Sequence, residues 1–246
     1  MVPGTADFGL ITGSGLHEFG AGDDVAGRET PYGTTSAPCR SVTIGGQVVL
    51  VLPRHGSSHE IPPHRINYRA NAWMLESLGV KKVVSLNTVG FIPSAMQAGE
   101  LAVPAQLIDY TWGREHTFFD GGESGVEHID LTEPFNPGVR ERLCLAAAAA
   151  GVVCHDGGVY GVTQGPRLET AAEVDRLERD GVDLIGMTAM PEVGLLRELG
   201  IDTACLSMLV NPAAGRGAGE IHADIEASIA AARAAAMRVL EAFFRA

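Results

Sequence analysis

The sequence predicts an α/β fold: a single domain over residues 1–246, with a central mixed, largely parallel twisted sheet flanked by helices. Three observations carry that reading. Short apolar runs of strand length end in glycine-bearing polar loops, stretches with helical spacing separate them, and the composition supports one sizeable core. The 246 residues are 46% hydrophobic, 20% charged and 6% aromatic, which is ordinary for a folded chain and excludes general disorder.

Phe8 to Ile11 runs into Thr12-Gly13-Ser14-Gly15 as a buried strand runs into a turn. Val48 to Leu52 does so before Pro53-Arg54-His55-Gly56, and Lys82 to Leu86 before Asn87-Thr88-Val89-Gly90. Between the last two, Asn67 to Leu78 sets Tyr68, Ala72, Leu75 and Leu78 at helical spacing, and strand, helix and strand in succession favour a parallel sheet. Leu101 to Ile108 and Val159 to Thr163 read as further strands. Ala146 to Ala150 is the tail of a helix ending before Gly151, and Thr170 to Arg179 is a helix with its charges outward. Asp183 to Met187 and Ala204 to Val210 are apolar strands on either side of a helix over Pro191 to Leu199. Beyond Asp224, Ile225, Ile229, Ala232, Ala236, Leu240 and Phe243 recur at steps of three and four and predict a closing amphipathic helix. Residues 111–138 have little periodicity, and a stretch that long reads as a functional loop or contact surface.

Eighteen Lys and Arg against 30 Asp and Glu give a net charge of −12. The basic residues are scattered, so a nucleic-acid surface is not expected, and a small anion would need a dedicated local pocket. Cys39, Cys144, Cys154 and Cys205 show neither metal-ligand spacing nor the density of a disulfide scaffold, which fits reduced thiols in a cytoplasm. No apolar run approaches the roughly 18 residues of a membrane span, and Asp7 stands where a signal peptide would be basic, so a cytoplasmic chain without a membrane partner is expected.

Four places carry candidate chemistry. Gly13-Ser14-Gly15 can aim backbone N–H groups and a hydroxyl at an anion. It lacks the third glycine and acidic residue of a dinucleotide fingerprint. Arg54-His55 stands at a strand's carboxyl end, where open sheets collect ligands, and the guanidinium fork suits phosphate. His59 and His64 follow, but no carboxylate or thiol repeats at ligand spacing and Pro62-Pro63 intervenes, so no metal is expected. Glu169 opens a helix, and Asn211-Pro212 follows a very apolar strand. Taken singly, each has a plain reading as a turn, a surface arginine, a first-turn carboxylate or a loop-forming Asn-Pro.

In order and together, these segments resemble the trimeric purine nucleoside phosphorylase and methylthioadenosine phosphorylase family over nearly the whole chain. The carrying pieces are Gly13-Ser14-Gly15-Leu16, Pro53-Arg54-His55-Gly56, Asn67-Tyr68-Arg69-Ala70-Asn71, Asn87-Thr88-Val89-Gly90, Thr163-Gln164-Gly165-Pro166-Arg167-Leu168-Glu169-Thr170, Gly186-Met187-Thr188 with Pro191-Glu192-Val193, and Asn211 to Gly215. Within the family, the S-methyl-5′-thioinosine and 6-oxopurine branch is the nearest in appearance. The resemblance implies cleavage of a purine nucleoside's N-glycosidic bond by inorganic phosphate as co-substrate, without metal or organic cofactor, in a homotrimer whose neighbouring subunit completes the site. It gives phosphate to Ser14, Arg54, His55, Thr88 and Thr188, and the ribose face to Met187.

The base site follows from hydrogen-bond polarity at the positions so matched. A 6-oxopurine offers O6 as acceptor and N1–H as donor; a 6-aminopurine offers the reverse. Asn211, where adenine-specific relatives carry Asp, can donate to O6 and accept from a protonated N7, easing departure of the base. Ionised Glu169 accepts from N1–H but faces the lone pair of adenine N1, and Ala213 leaves no acceptor for a 6-amino group. At the 5′ end, His222 stands where inosine-cleaving relatives bond the hydroxyl, and His128 would reach in from a neighbouring subunit. The surroundings, including Gly113-Arg114-Glu115-His116, look closer to the methylthioinosine branch, which leaves 5′-hydroxyl against 5′-methylthio open. Phe91 replaces a small residue near the phosphate and sugar, and Leu168 replaces an aromatic ring that stacks on the base. Two other readings stay open: a nucleoside hydrolase-like activity, with water in place of phosphate, and a non-catalytic nucleoside-binding protein.

Overall fold

β1 (Phe8–Thr12) is buried at every residue, as a strand covered on both faces must be. The computed structural model describes residues 6–14, 22–217 and 225–245. After β1, β2 (Asp23–Ala26) forms a sheet edge and β3 (Glu29–Thr30) pairs with β4 (Gly33–Thr34) in a small separate hairpin. β5 (Cys39–Ile44) and β6 (Gln47–Pro53) are antiparallel neighbours, and β2 lies antiparallel on β5. α1 (Tyr68–Ser77) starts where Asn67 accepts a hydrogen bond from the Ala70 N–H at 3.1 Å, an ordinary N-cap.

β7 (Lys82–Phe91) is twice the predicted length. The sequence reads Asn87 to Gly90 as loop, but the segment stays in the sheet because its buried polar group is satisfied there: Ser207 Oγ donates to Asn87 Oδ1 at 2.7 Å. The predicted strand over 101–108 is split at Pro104, which has no N–H for a ladder, into β8 (Leu101–Val103) and β9 (Gln106–Asp109). Next come α2 (Pro137–Ala149), β10 (Cys154–Asp156) and β11 (Val159–Val162). α3 (Ala171–Arg179) is closed at its start by a Thr170 and Glu173 capping box, which fixes the chain immediately after Glu169. β12 (Leu184–Gly186), α4 (Ala189–Glu198), β13 (Asp202–Pro212) and α5 (Ile225–Arg245) complete the chain.

Among the described residues the main sheet has eleven strands, with the path β10-β8-β13-β7-β1-β6-β5-β2. The central four, β13, β7, β1 and β6, are mutually parallel. A second branch leaves the carboxyl end of β7: β12 pairs antiparallel with Gly90 and Phe91, and β11 and β9 continue from it in parallel. One face carries α2 and α5, whose Leu143, Ala232, Ala236, Leu240 and Phe243 pack on Leu10, Val84 and Leu206. The other face carries α1 and α4, with Leu75, Leu195 and Leu196 over Ile11, Leu50 and Leu52. No helix among the described residues is long and apolar enough to cross a membrane.

Candidate active site

Parallel strands deliver their following residues to one side of the sheet, and here that side holds a cavity of about 590 Å³. Ser14 comes from the end of β1, Arg54 and His55 from the end of β6, and Thr88 from β7. Met187 and Thr188 follow β12, and Asn211 and Ala213 stand at the end of β13. Leu168 and Glu169 reach the same cavity from the loop between β11 and α3. All ten are named above as candidate residues, and they line one space. At Asn211 the register of β13 on β7 slips by one residue, a bulge that re-aims the side chain. Asn211 Nδ2 donates to the Pro212 carbonyl at 2.7 Å, leaving its second N–H and Oδ1 without a partner among the described residues. Thr163 Oγ1 donates to Glu169 Oε1 at 2.6 Å, an interaction that holds the carboxylate as an acceptor.

Arg54 is placed differently from its expected use as a phosphate fork. It is fully buried, and its forked edge faces Glu192: Nε donates to Oε2 at 2.9 Å and Nη2 to Oε1 at 3.0 Å. Nη2 also reaches the Ile11 carbonyl, and Nη1 the Leu86 carbonyl at 2.6 Å. Four of the five N–H groups of a guanidinium are thus committed, and the fifth belongs to Nη1, which lies against Gly13. A Cβ at Gly13 would stand 2.5 Å from Nη1, so glycine here is what lets the first loop close over the arginine. Burial opposes the charge on Arg54 and the Glu192 carboxylate more than restores it. Ser85 Oγ donates to the same carboxylate at 2.6 Å.

His55 donates from Nδ1 to the Ile61 carbonyl at 2.8 Å, because that oxygen can only accept. Burial and the adjacent Arg54 push its pKa down to about 4, against the pull of that carbonyl, so the ring is neutral at pH 7 and Nε2 carries a lone pair. His59 lies against it, ring centroids 4.6 Å apart, and its Nε2 is 3.3 Å from Ser14 Oγ. A stability effect follows. The folded value lies below the ordinary 6.5, so on acidification the unfolded chain takes up this proton first. Stability contributed by His55 is complete above pH 6.5 and is lost on falling to about 4, a total of roughly 3 kcal/mol. Urea unfolding of wild type and His55→Gln across that range should show the variant lacking this part of the slope; parallel curves would contradict the neutral assignment.

The chain matches the model of the Phosphorylase superfamily over residues 7–245. The chain belongs to this superfamily. It is 49% identical over 201 residues to a Pseudomonas syringae protein named "Probable S-methyl-5′-thioinosine phosphorylase", covering 81% of this chain and 82% of that one. To the 6-oxopurine nucleoside phosphorylase of Pyrococcus furiosus it is 39% identical over 226 residues, covering 88% and 83%. The crystal structure of Schistosoma mansoni methylthioadenosine phosphorylase with adenine superposes with a TM-score of 0.87 at 29% identity, covering 98% of this chain and 91% of that one.

In this phosphorylase superfamily chain, the two histidines expected at the 5′ end are not among the cavity residues described. His222 lies outside the described residues, and His128 is exposed in the long loop before α2 and does not line the cavity. Phe91 turns away from the cavity into the core beside Tyr160 and Leu184, so it does not narrow that corner. Leu168 is 42% exposed and offers an edge, with no aromatic ring in its place. Sequence reasoning assigned no site role to Glu192, Thr163 or His59. Glu192 and Thr163 stand inside quoted motifs, and a carboxylate in the otherwise apolar stretch from Ala189 to Leu196 is the available signal for Glu192. Among the described residues no group of three or more His, Cys, Asp or Glu is arranged to hold a metal ion.

Proposed function

We propose that this chain cleaves the N-glycosidic bond of 6-oxopurine nucleosides with inorganic phosphate, releasing the purine base and a ribose 1-phosphate. Inosine, guanosine and S-methyl-5′-thioinosine are the candidate substrates. The observation that carries this reading is Asn211 and Glu169 lining the same cavity as Ser14, His55, Thr88 and Thr188, with Ala213 offering no side-chain acceptor. Asn211 gives its remaining N–H to O6 and accepts from N7–H, while Glu169, held by Thr163, accepts from N1–H. Charge that develops on the departing purine is thereby met by groups already in place. The anion below the sugar is met by the hydroxyls and by the last N–H of Arg54, and the neutral His55 accepts from a P–OH of the phosphate.

The reading includes no metal or organic cofactor and a cytoplasmic setting, in keeping with four cysteines that are free thiols. It also includes a homotrimer in which the exposed His128 of a neighbouring copy completes the 5′ end. The test is base release from inosine, guanosine, S-methyl-5′-thioinosine, adenosine and methylthioadenosine, each with and without phosphate. Phosphate-dependent hypoxanthine or guanine release with the adenine nucleosides nearly inert is the expected result. Release without phosphate would mean hydrolysis, adenine release would overturn the roles of Asn211 and Glu169, and silence on all five would leave a binding protein.

A further inference from the structure

Arg114 lies in the long loop between β9 and α2, outside the strand ends that build the cavity, yet it is only 9% exposed. Its guanidinium collects oxygens from three separate segments of the cavity wall. Nη2 donates to the Gln164 carbonyl at 2.9 Å, just before the Gly165–Glu169 turn that carries the base-facing carboxylate. Nη1 donates to the carbonyls of Met187 at 2.8 Å and Met190 at 2.7 Å, on either side of Thr188. Nη1 also reaches Tyr68 Oη at 3.2 Å, and that hydroxyl donates in turn to the carbonyl of Pro63, another lining residue.

No carboxylate pairs with Arg114 among the described residues, and its buried Nε has no partner there. A charge buried against neutral oxygens with one donor unpaired is an expensive way to pack a loop. What the planar fork supplies, and an apolar side chain would not, is simultaneous fixing of carbonyls on several chain segments. The need for fixing is visible at Gly165, whose φ of +62° brings it so close that a Cβ would stand 2.5 Å from Met187 Sδ. The turn bearing Glu169 and the segment bearing Met187 are thus packed on each other, with Arg114 across their backs.

We infer that Arg114 is a positioning residue that sets Glu169 and Met187 in register for the nucleoside, acting through the backbones of 163–165 and 187–190. This rests on the function proposed above. Phosphate is affected less, because of its residues only Thr188 lies in a clamped segment, while Ser14, His55 and Thr88 come from β1, β6 and β7, none of which Arg114 touches.

The test compares wild type with Arg114→Lys, which keeps the charge but loses the fork, and with Arg114→Met, with melting temperatures recorded for all three. In Arg114→Lys the nucleoside KM should rise roughly 10- to 100-fold, as expected for a reacting group displaced by about an ångström, while the phosphate KM moves less than about threefold. Amide hydrogen exchange of the ligand-free proteins should speed up in 163–169 and 187–190 and stay unchanged in β1 and β7. Unchanged exchange in those two segments overturns the inference whether or not the wild type is active. Unchanged kinetics, or equal rises in both KM values, also overturn it. A wild type that releases no base, with exchange altered as described, would sink the proposed function and leave the clamp standing.

Discussion

Glu192→Gln is expected to lower the unfolding free energy by about 3–5 kcal/mol, the cost of leaving a buried guanidinium without its counter-charge. The side chains of Arg54 and Glu192 are 0% and 4% exposed, so water cannot replace the lost carboxylate. An amide at 192 would also turn one N–H toward a guanidinium that can only donate, and Ser85 would lose half of its acceptor. For a chain of this length each kcal/mol shifts the melting temperature by about 2–4 °C, so a fall of roughly 6–20 °C is expected at fixed protein concentration. The double variant Arg54→Met, Glu192→Met separates stability from function. With both charges gone the desolvation cost is gone as well, and most of the lost stability should return. Phosphate binding should not return, because the cavity then lacks the last guanidinium N–H beside Gly13. A Glu192→Gln protein melting within about 2 °C of wild type would show that the pair is not what holds Arg54. A double variant with wild-type phosphate KM would remove Arg54 from the phosphate site.

The same pair shows where the sequence stops being legible. That Arg54 stands at a strand's carboxyl end can be read from the apolar run before it, and strand ends collect ligands in a parallel sheet. Which way its fork points cannot be read, because Glu192 lies 138 residues later and only the packing of α4 against the sheet brings it underneath. The strands of the core were legible from their unbroken apolar runs, β1 and β6 most clearly. β7 reads short in the sequence because Asn87 and Thr88 look like loop residues, and it is Ser207 on the neighbouring strand that makes an asparagine tolerable there. The apolar run over 101–108 reads as one strand, but Pro104, without an N–H, breaks it in two. β2 and β5 leave no signal in the sequence; β2 has no buried residue and β5 is buried at only some positions, so neither offers an unbroken apolar run. Asn211 and Glu169 reach the base site through the family resemblance, with hydrogen-bond polarity choosing between bases, but the bulge that aims Asn211 and the Thr163 hydroxyl that holds Glu169 are products of the fold.

Asn211→Asp is expected to move the preference of the enzyme from hypoxanthine toward adenine. In the wild type the Asn211 amide both donates and accepts, which matches O6 and a protonated N7 on one edge of a 6-oxopurine. An ionised Asp can only accept, so O6 meets a second lone pair while the 6-amino group of adenine meets an acceptor. The bond from Asn211 Nδ2 to the Pro212 carbonyl is lost at the same time, which frees the new carboxylate to turn toward the base. Loss of one donor aimed at a developing negative charge costs about 100- to 1,000-fold in turnover, and the kcat/KM for inosine should fall by that order. Adenosine should gain relative to inosine by at least as much, since a buried polar mismatch is relieved for one base and created for the other. The absolute rate with adenosine stays low, because ionised Glu169 still faces the lone pair of adenine N1. Adding Glu169→Gln, whose amide can donate to N1, should raise it further. The decisive measurement is the ratio of kcat/KM for inosine to that for adenosine at saturating phosphate in the three proteins. A ratio unchanged by Asn211→Asp would remove Asn211 from the base. A ratio that shifts with Asn211→Asp but not further with Glu169→Gln would leave Asn211 in place and take Glu169 away from N1.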